Sequence, residues 1–271
     1  MTEFGDAEEL GFQDDREPWL HRHRRLVAIA AALVLVLAGA VYGGRYLYQR
    51  SLLPSPPPDA PFPPATAFQV WLCSAEFSNC TPGDEGKVLA AVRQAPGVVS
   101  AQLVTGAQAA GRLKAARLDD SNIQFRVPSM VEGTLRRRED FAAFRSALVA
   151  TPGVMLVDLP MGNFWKGKAD FLVLMCAGRD GNRCTATATA AQRDAVAARL
   201  RALDAVEDVY LQDQAFSRRM IEHYRTVALN PRGTMPEQLY VRLGDPKNAR
   251  SVARAVLGMP GVDTAVTVSD R

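Results

Sequence analysis

The chain is 271 residues long, 48% hydrophobic and 23% charged, with a formal net charge of +3. That length has room for about two domains, and that composition excludes a wholly disordered chain. The basic residues are scattered singly or in short clusters such as Arg136-Arg137-Arg138, so neither a basic stripe nor a matching motif supports nucleic-acid binding.

The first 20 residues hold seven acids, one arginine and few aliphatics, which predicts a disordered tail over residues 1–25. Leu26–Gly44, "LVAIAAALVLVLAGAVYGG", then runs 19 residues without a charge. As a helix at 1.5 Å per residue it reaches roughly 28 Å, close to the apolar thickness of a bilayer. Arg22, Arg24 and Arg25 precede it and Arg45, Tyr46, Tyr48 and Arg50 follow; the slim excess of three arginines over two predicts a single membrane pass with the N-terminus cytoplasmic. A cleaved signal peptide is the competing reading. The run exceeds a usual signal core and its leader is long and acidic, so a retained anchor is expected. Residues 45–65 read as a linker whose Leu53–Ala65 part, "LPSPPPDAPFPPA", holds seven prolines and predicts a semi-rigid polyproline spacer.

From Thr66 the pattern becomes regular. Strands are expected at Phe68–Cys73, Val98–Val104, Ile123–Val127 and Val154–Leu159, with helices at Glu85–Ala95 and Glu139–Ala150. Pro-Gly-Val closes both helices and opens a strand each time, at Pro96–Val98 and Pro152–Val154. The second half repeats the plan. Strands fall at Phe171–Cys176, Val206–Leu211, Gln238–Leu243 and Asp263–Val268, and helices at Ala190–Leu203 and Pro246–Leu257. An extra helix falls at Phe216–Arg225, and a third Pro-Gly-Val stands at Pro260–Val262. Aligning Cys73 on Cys176 and Val154 on Val262 gives offsets of 103 and 108. The fold class is therefore α+β, with two tandem ferredoxin-like (split βαβ) domains over 66–162 and 168–271.

Cys73, Cys80, Cys176 and Cys184 all follow the membrane segment. Their even count and external placement predict disulfides, and the repeat selects Cys73–Cys80 and Cys176–Cys184, so that each domain closes its own loop. Zinc fits the spacing poorly, and Cys-x-x-Cys is absent. No cofactor or metal is expected. Walker, Gly-x-Ser-x-Gly and His-Glu-x-x-His motifs are missing, and His223 is the sole histidine beyond the tail, so a non-enzymatic role is expected. The acid pairs Asp119-Asp120 and Glu207-Asp208 read as solvated turn residues.

Together, "FQVWLCSAEFSNC", "APGVVSAQLV" and especially "QAFSRRMIEHYR" with "MPEQLYVRLGDPKNARSVARAVLGMPGVDTAV" resemble the extracellular domain of the cell-division permease FtsX family. The resemblance covers Phe68–Leu159 and Phe171–Val268, the second copy more closely. The family's domain lies between two helices of a four-helix permease, whereas one apolar helix and two tandem domains are legible here. The resemblance implies an extracytoplasmic module that binds a peptidoglycan hydrolase, its adaptor or an FtsX-type complex; self-association or association with a permease is the alternative. It also implies that the helical insertion after the second strand docks the partner. In that insertion Phe216, Met220 and Tyr224 recur at i, i+4 and i+8 beside Arg219, which makes these four the candidate partner-binding residues. The same stripe also reads as packing the helix onto its own domain, the commoner fate of a helical apolar face.

Overall fold

The computed structural model describes residues 24–76, 80–119, 125–178, 184–224 and 237–268. The chain divides into two compact units, Met1–Ser51 and Leu52–Arg271. In the first unit α1 (Arg24–Ser51) is a single helix of 28 residues, so it extends into the stretch expected to be linker. The described large apolar side chains of α1, from Ile29 to Val41, are all exposed. Among the described residues, no helix is long and apolar enough to cross a membrane. The expected tail lies outside the described residues up to position 23.

The second unit holds two four-stranded sheets of the same order. The first contains β1 (Ala67–Leu72), β2 (Val98–Val104), β3 (Met130–Leu135) and β4 (Val154–Asp158), ordered β2-β3-β1-β4. The second contains β5 (Phe171–Met175), β6 (Val206–Gln212), β7 (Gln238–Leu243) and β8 (Val262–Thr267), ordered β6-β7-β5-β8. All neighbours are antiparallel. Each first and second strand flank the third, which is the split βαβ order.

The helices are α2 (Glu85–Gln94), α3 (Gly106–Ala116) and α4 (Phe141–Leu148) in the first domain. In the second they are α5 (Ala190–Arg201), α6 (Gln214–Tyr224) and α7 (Ala249–Arg254). Their starts are written locally. Asp84 caps α2, while Thr105 with Gln108 and Thr189 with Gln192 form capping boxes on α3 and α5. The Pro-Gly-Val turns work as their residue types require, with Gly97, Gly153 and Gly261 at φ of 78°, 89° and 86°.

The duplication extends to irregularities. Register shifts fall at Val98/Ser100 and again at Val206/Asp208, and at Trp71/Leu72 and again at Leu174/Met175. The amides of Cys73 and Cys176 donate to the carbonyls of Gly153 and Gly261 at 2.8 and 2.9 Å. The disulfides Cys73–Cys80 and Cys176–Cys184 form as the repeat predicts, with Cα atoms 5.7 and 5.4 Å apart.

One strand differs from expectation. The third strand is Met130–Leu135, not Ile123–Val127; residues 123–124 lie outside the described residues and 125–127 form no strand. Glu132 and Gly133 break the apolar pattern of "MVEGTL" for structural reasons. The Glu132 carboxylate accepts from Arg112 at 3.0 Å. At Gly133 a Cβ would lie 1.9 Å from the Ser100 carbonyl oxygen and 2.5 Å from the Phe68 ring, so only glycine lets β2 and Phe68 close in.

One face of each sheet carries two helices, α2 and α4 in the first domain and α5 and α7 in the second, while the insertion helices α3 and α6 pack on the opposite faces. Phe68, Val70, Val88, Val92, Phe144 and Leu148 centre the first core. Phe171, Val173, Val196, Leu200, Leu239 and Val252 centre the second. Each such side chain contributes about 1.5–3 kcal/mol relative to exposure.

Candidate functional site

The two domains are tied at their edges. After α3 the chain lays residues 117–119 against β8, the edge strand of the second sheet. The Leu118 amide donates to the Ala265 carbonyl at 2.9 Å, and Arg117 forms an antiparallel bridge with Val266. Leu118, 4% exposed, enters the core of the second domain. Asp119 is buried rather than solvated. It takes both arms of the Arg117 guanidinium and the hydroxyl of Thr264, the latter at 3.1 Å. The hydrogen bond to Asp119, against the cost of burial, raises the Arg117 pKa above its ordinary value. The insertion of the first copy thus serves as an intramolecular dock.

The Pro-rich segment is also docked, so it is no free spacer. Ser55 pairs in parallel with Tyr210 on β6: its amide donates to the Val209 carbonyl and its carbonyl accepts from the Leu211 amide, both at 2.8 Å. Arg201 donates to the Ser55 hydroxyl at 2.7 Å. Farther along, Phe62 stands among the rings of Phe164, Phe216 and Tyr224, with centroids 5.5, 5.6 and 6.1 Å away. The Tyr224 hydroxyl donates to the Pro63 carbonyl at 2.6 Å. Prolines without N–H groups suit a segment bonded through its few remaining donors and its carbonyls.

These contacts bear directly on the four candidate residues. Phe216, Met220 and Tyr224 do share a face of α6, but that face is inward: they are 5%, 7% and 1% exposed. Arg219 is exposed, its guanidinium 5.4 Å from the Phe216 ring centroid. The segment between the domains and the Pro-rich segment cover the stripe, which is the packing reading of the same three residues. Phe164 packs edge-on against Phe216 at 4.9 Å. Trp165 stacks on Tyr240 and donates through Nε1 to Gln212 Oε1 at 2.6 Å. Gln212 in turn donates to Ser217 on α6 at 3.1 Å. Every buried polar atom along this path has its partner, as burial requires.

Burial pushes the Tyr240 phenol far above its usual range, and burial also raises Tyr224 against the opposing charge of Arg138. At Gly162 a Cβ would meet the Tyr224 hydroxyl at 2.5 Å and the Pro63 carbonyl at 2.7 Å, so glycine lets three segments converge. Phe62, Phe164, Trp165 and Gln212 were not singled out from sequence. For the three aromatics the signal is a large ring among Pro and Gly outside any helix or strand period; Gln212, the last residue of β6, carries none.

On the first domain the face of the sheet opposite α2 and α4 carries two cavities of about 660 and 520 Å³, the smaller one walled by α3. Gln69 and Glu132 line both, and Arg112, paired with Glu132, lines the smaller. Among the described residues no group of three or more His, Cys, Asp or Glu is placed to hold a metal ion.

Residues 173–270 match the sequence model of a family described as the FtsX extracellular domain. Among solved structures, the crystal structure of extracellular domain 1 of FtsX from S. pneumoniae, in complex with undecyl-maltoside, matches 36% of this chain and 91% of its own, at 14% identity and a TM-score of 0.26. No curated protein matches the chain. The second domain is thus FtsX-extracellular-domain-like by sequence, and the first repeats its topology.

Proposed function

We propose that this chain is a membrane-anchored, extracytoplasmic binding protein of the cell envelope that recruits or regulates a peptidoglycan hydrolase, its adaptor or a cell-division complex. The observation that carries this reading is the family match over 173–270, the domain that bears α6. Two disulfides support placement outside the cytoplasm. The 19 uncharged residues of Leu26–Gly44, within the 28-residue α1, support the anchor.

The docking surface is the exposed side of α6, where Arg218, Arg219, Glu222 and His223 lie. A charged helix face of this kind steers a partner of complementary sign and fixes its orientation. Full-length chain used as bait in envelope extracts retains a hydrolase, its adaptor or a division protein identified by mass spectrometry. Arg218→Glu with Arg219→Glu releases it while the thermal midpoint is unchanged. Retention unaffected by the double substitution contradicts this surface.

A further inference from the structure

The cleft between α6 and the segment between the domains is filled by a piece of chain from outside the second domain. In the register of the duplication Phe62 corresponds to Trp165, at the offset of 103 that relates Cys73 to Cys176. Trp165 stays with the sheet it precedes, stacked on Tyr240. Phe62 instead goes to the other domain and packs against Phe164, Phe216 and Tyr224. The duplicated position has thus become a donated ring in a cleft built by its neighbour.

The bonds that hold this segment are of an exchangeable kind. Phe62 is only half-buried, whereas Phe164, Phe216 and Tyr224 around it are buried. Its polar contacts use backbone atoms, Pro63 O to Tyr224 and Ser55 N and O to β6, plus the single Ser55 hydroxyl. Any extended segment with a proline-flanked aromatic residue presents the same ring and the same carbonyl. The cleft supplies four recognition elements: an aromatic seat, the Tyr224 hydroxyl as donor, the Leu211 amide as donor and the Val209 carbonyl as acceptor.

We infer that this cleft is a receptor for extended, proline-flanked aromatic segments, and that residues 53–65 of this chain are its resident, self-inhibiting occupant. The physiological use of the receptor rests on the partner-binding reading above. Tethering sets the resident's effective concentration in the millimolar range, and a competitor's apparent affinity falls in proportion to the fraction of open cleft. A segment of similar chemistry on a partner therefore gains access only when the resident lets go. Its arrival frees 13 residues of extended chain, roughly 40 Å at about 3 Å per residue, between α1 and the domains.

The test needs no partner protein. Full-length chain in lipid nanodiscs is titrated with a labelled synthetic peptide, LPSPPPDAPFPPA, the sequence of residues 53–65. Wild type is compared with Ser55→Pro/Phe62→Ala, and hydrogen exchange at the Leu211 amide reports whether the resident has opened. The opened variant binds the peptide at least ten-fold more tightly than wild type. The gain disappears when the peptide carries alanine for its phenylalanine, or when Met220→Ala is added to the protein. The single variant Phe62→Ala, altering one half-buried side chain, gives an intermediate affinity and stands alone if the double variant does not fold. Three results would overturn the inference: equal binding to wild type and variant, absence of binding to an opened and folded variant, or a Leu211 amide still protected after both substitutions.

Discussion

The hydroxyl of Tyr224, the last residue of α6, donates at 2.6 Å to the carbonyl of Pro63 in the segment that leads into the first strand. Through that bond and the Phe62 ring, the start of one domain is fastened to the insertion helix of the other. Tyr224→Phe keeps the ring and deletes the bond, which costs about 0.5–1.5 kcal/mol. The thermal midpoint of the second domain falls by a few degrees, and exchange at the Leu211 amide speeds up. A change in neither contradicts the fastening.

Leu118 tests the opposite tie. It belongs to the first copy by sequence yet fills the core of the second. Leu118→Ala removes a buried side chain and costs about 2–5 kcal/mol. Calorimetry then shows the second domain melting earlier, with Cys176–Cys184 still formed. An unaltered second transition contradicts the placement.

The buried phenols set an alkaline limit. Tyr240 and Tyr224 are raised above the ordinary tyrosine pKa, both by burial. Below about pH 10 both states keep these protons and the contribution is complete. Above it the unfolded chain ionises while the native one resists, so the unfolded state holds fewer protons and stability falls as pH rises. Denaturant midpoints are therefore level up to about pH 10 and decline beyond it. Tyr240→Phe makes the decline shallower, and an unchanged slope contradicts the assignment.

Reduction gives a fourth outcome. The bridges close loops with sequence separations of 7 and 8, and the loop-entropy relation gives about 2–3 kcal/mol for each. Cys73→Ser with Cys80→Ser lowers the first transition and leaves the second in place, whereas a reductant lowers both. Identical midpoints with and without a reductant contradict a stabilising role.

Much of this architecture was legible because local chemistry wrote it down. Pro-Gly-Val demands a left-handed glycine, and Gly97, Gly153 and Gly261 supply it. Paired cysteine spacing in two copies chose the bridges. The third strand was misplaced because period-two apolarity fails at Glu132 and Gly133, where an ion pair and a close backbone approach replaced side-chain packing. What covers the apolar face of α6 was illegible for a different reason. Phe216, Met220 and Tyr224 specify an apolar face, but what covers it comes from Phe62 and Phe164, some 50 to 160 residues away. Proline density marked 53–65 as extended, and extension is compatible with a free spacer or a docked one; only Ser55 and Phe62 distinguish them.

The central claim is that the exposed side of α6 meets an envelope partner. The most direct measurement places a photo-crosslinking amino acid at position 219 of the full-length chain in the cells that produce it, and identifies the product by mass spectrometry. The account predicts an adduct with a peptidoglycan hydrolase, its adaptor or a division-complex protein, lost when Arg218→Glu is added. Adducts only with a second copy of this chain, or none at position 219 despite normal expression, would contradict it.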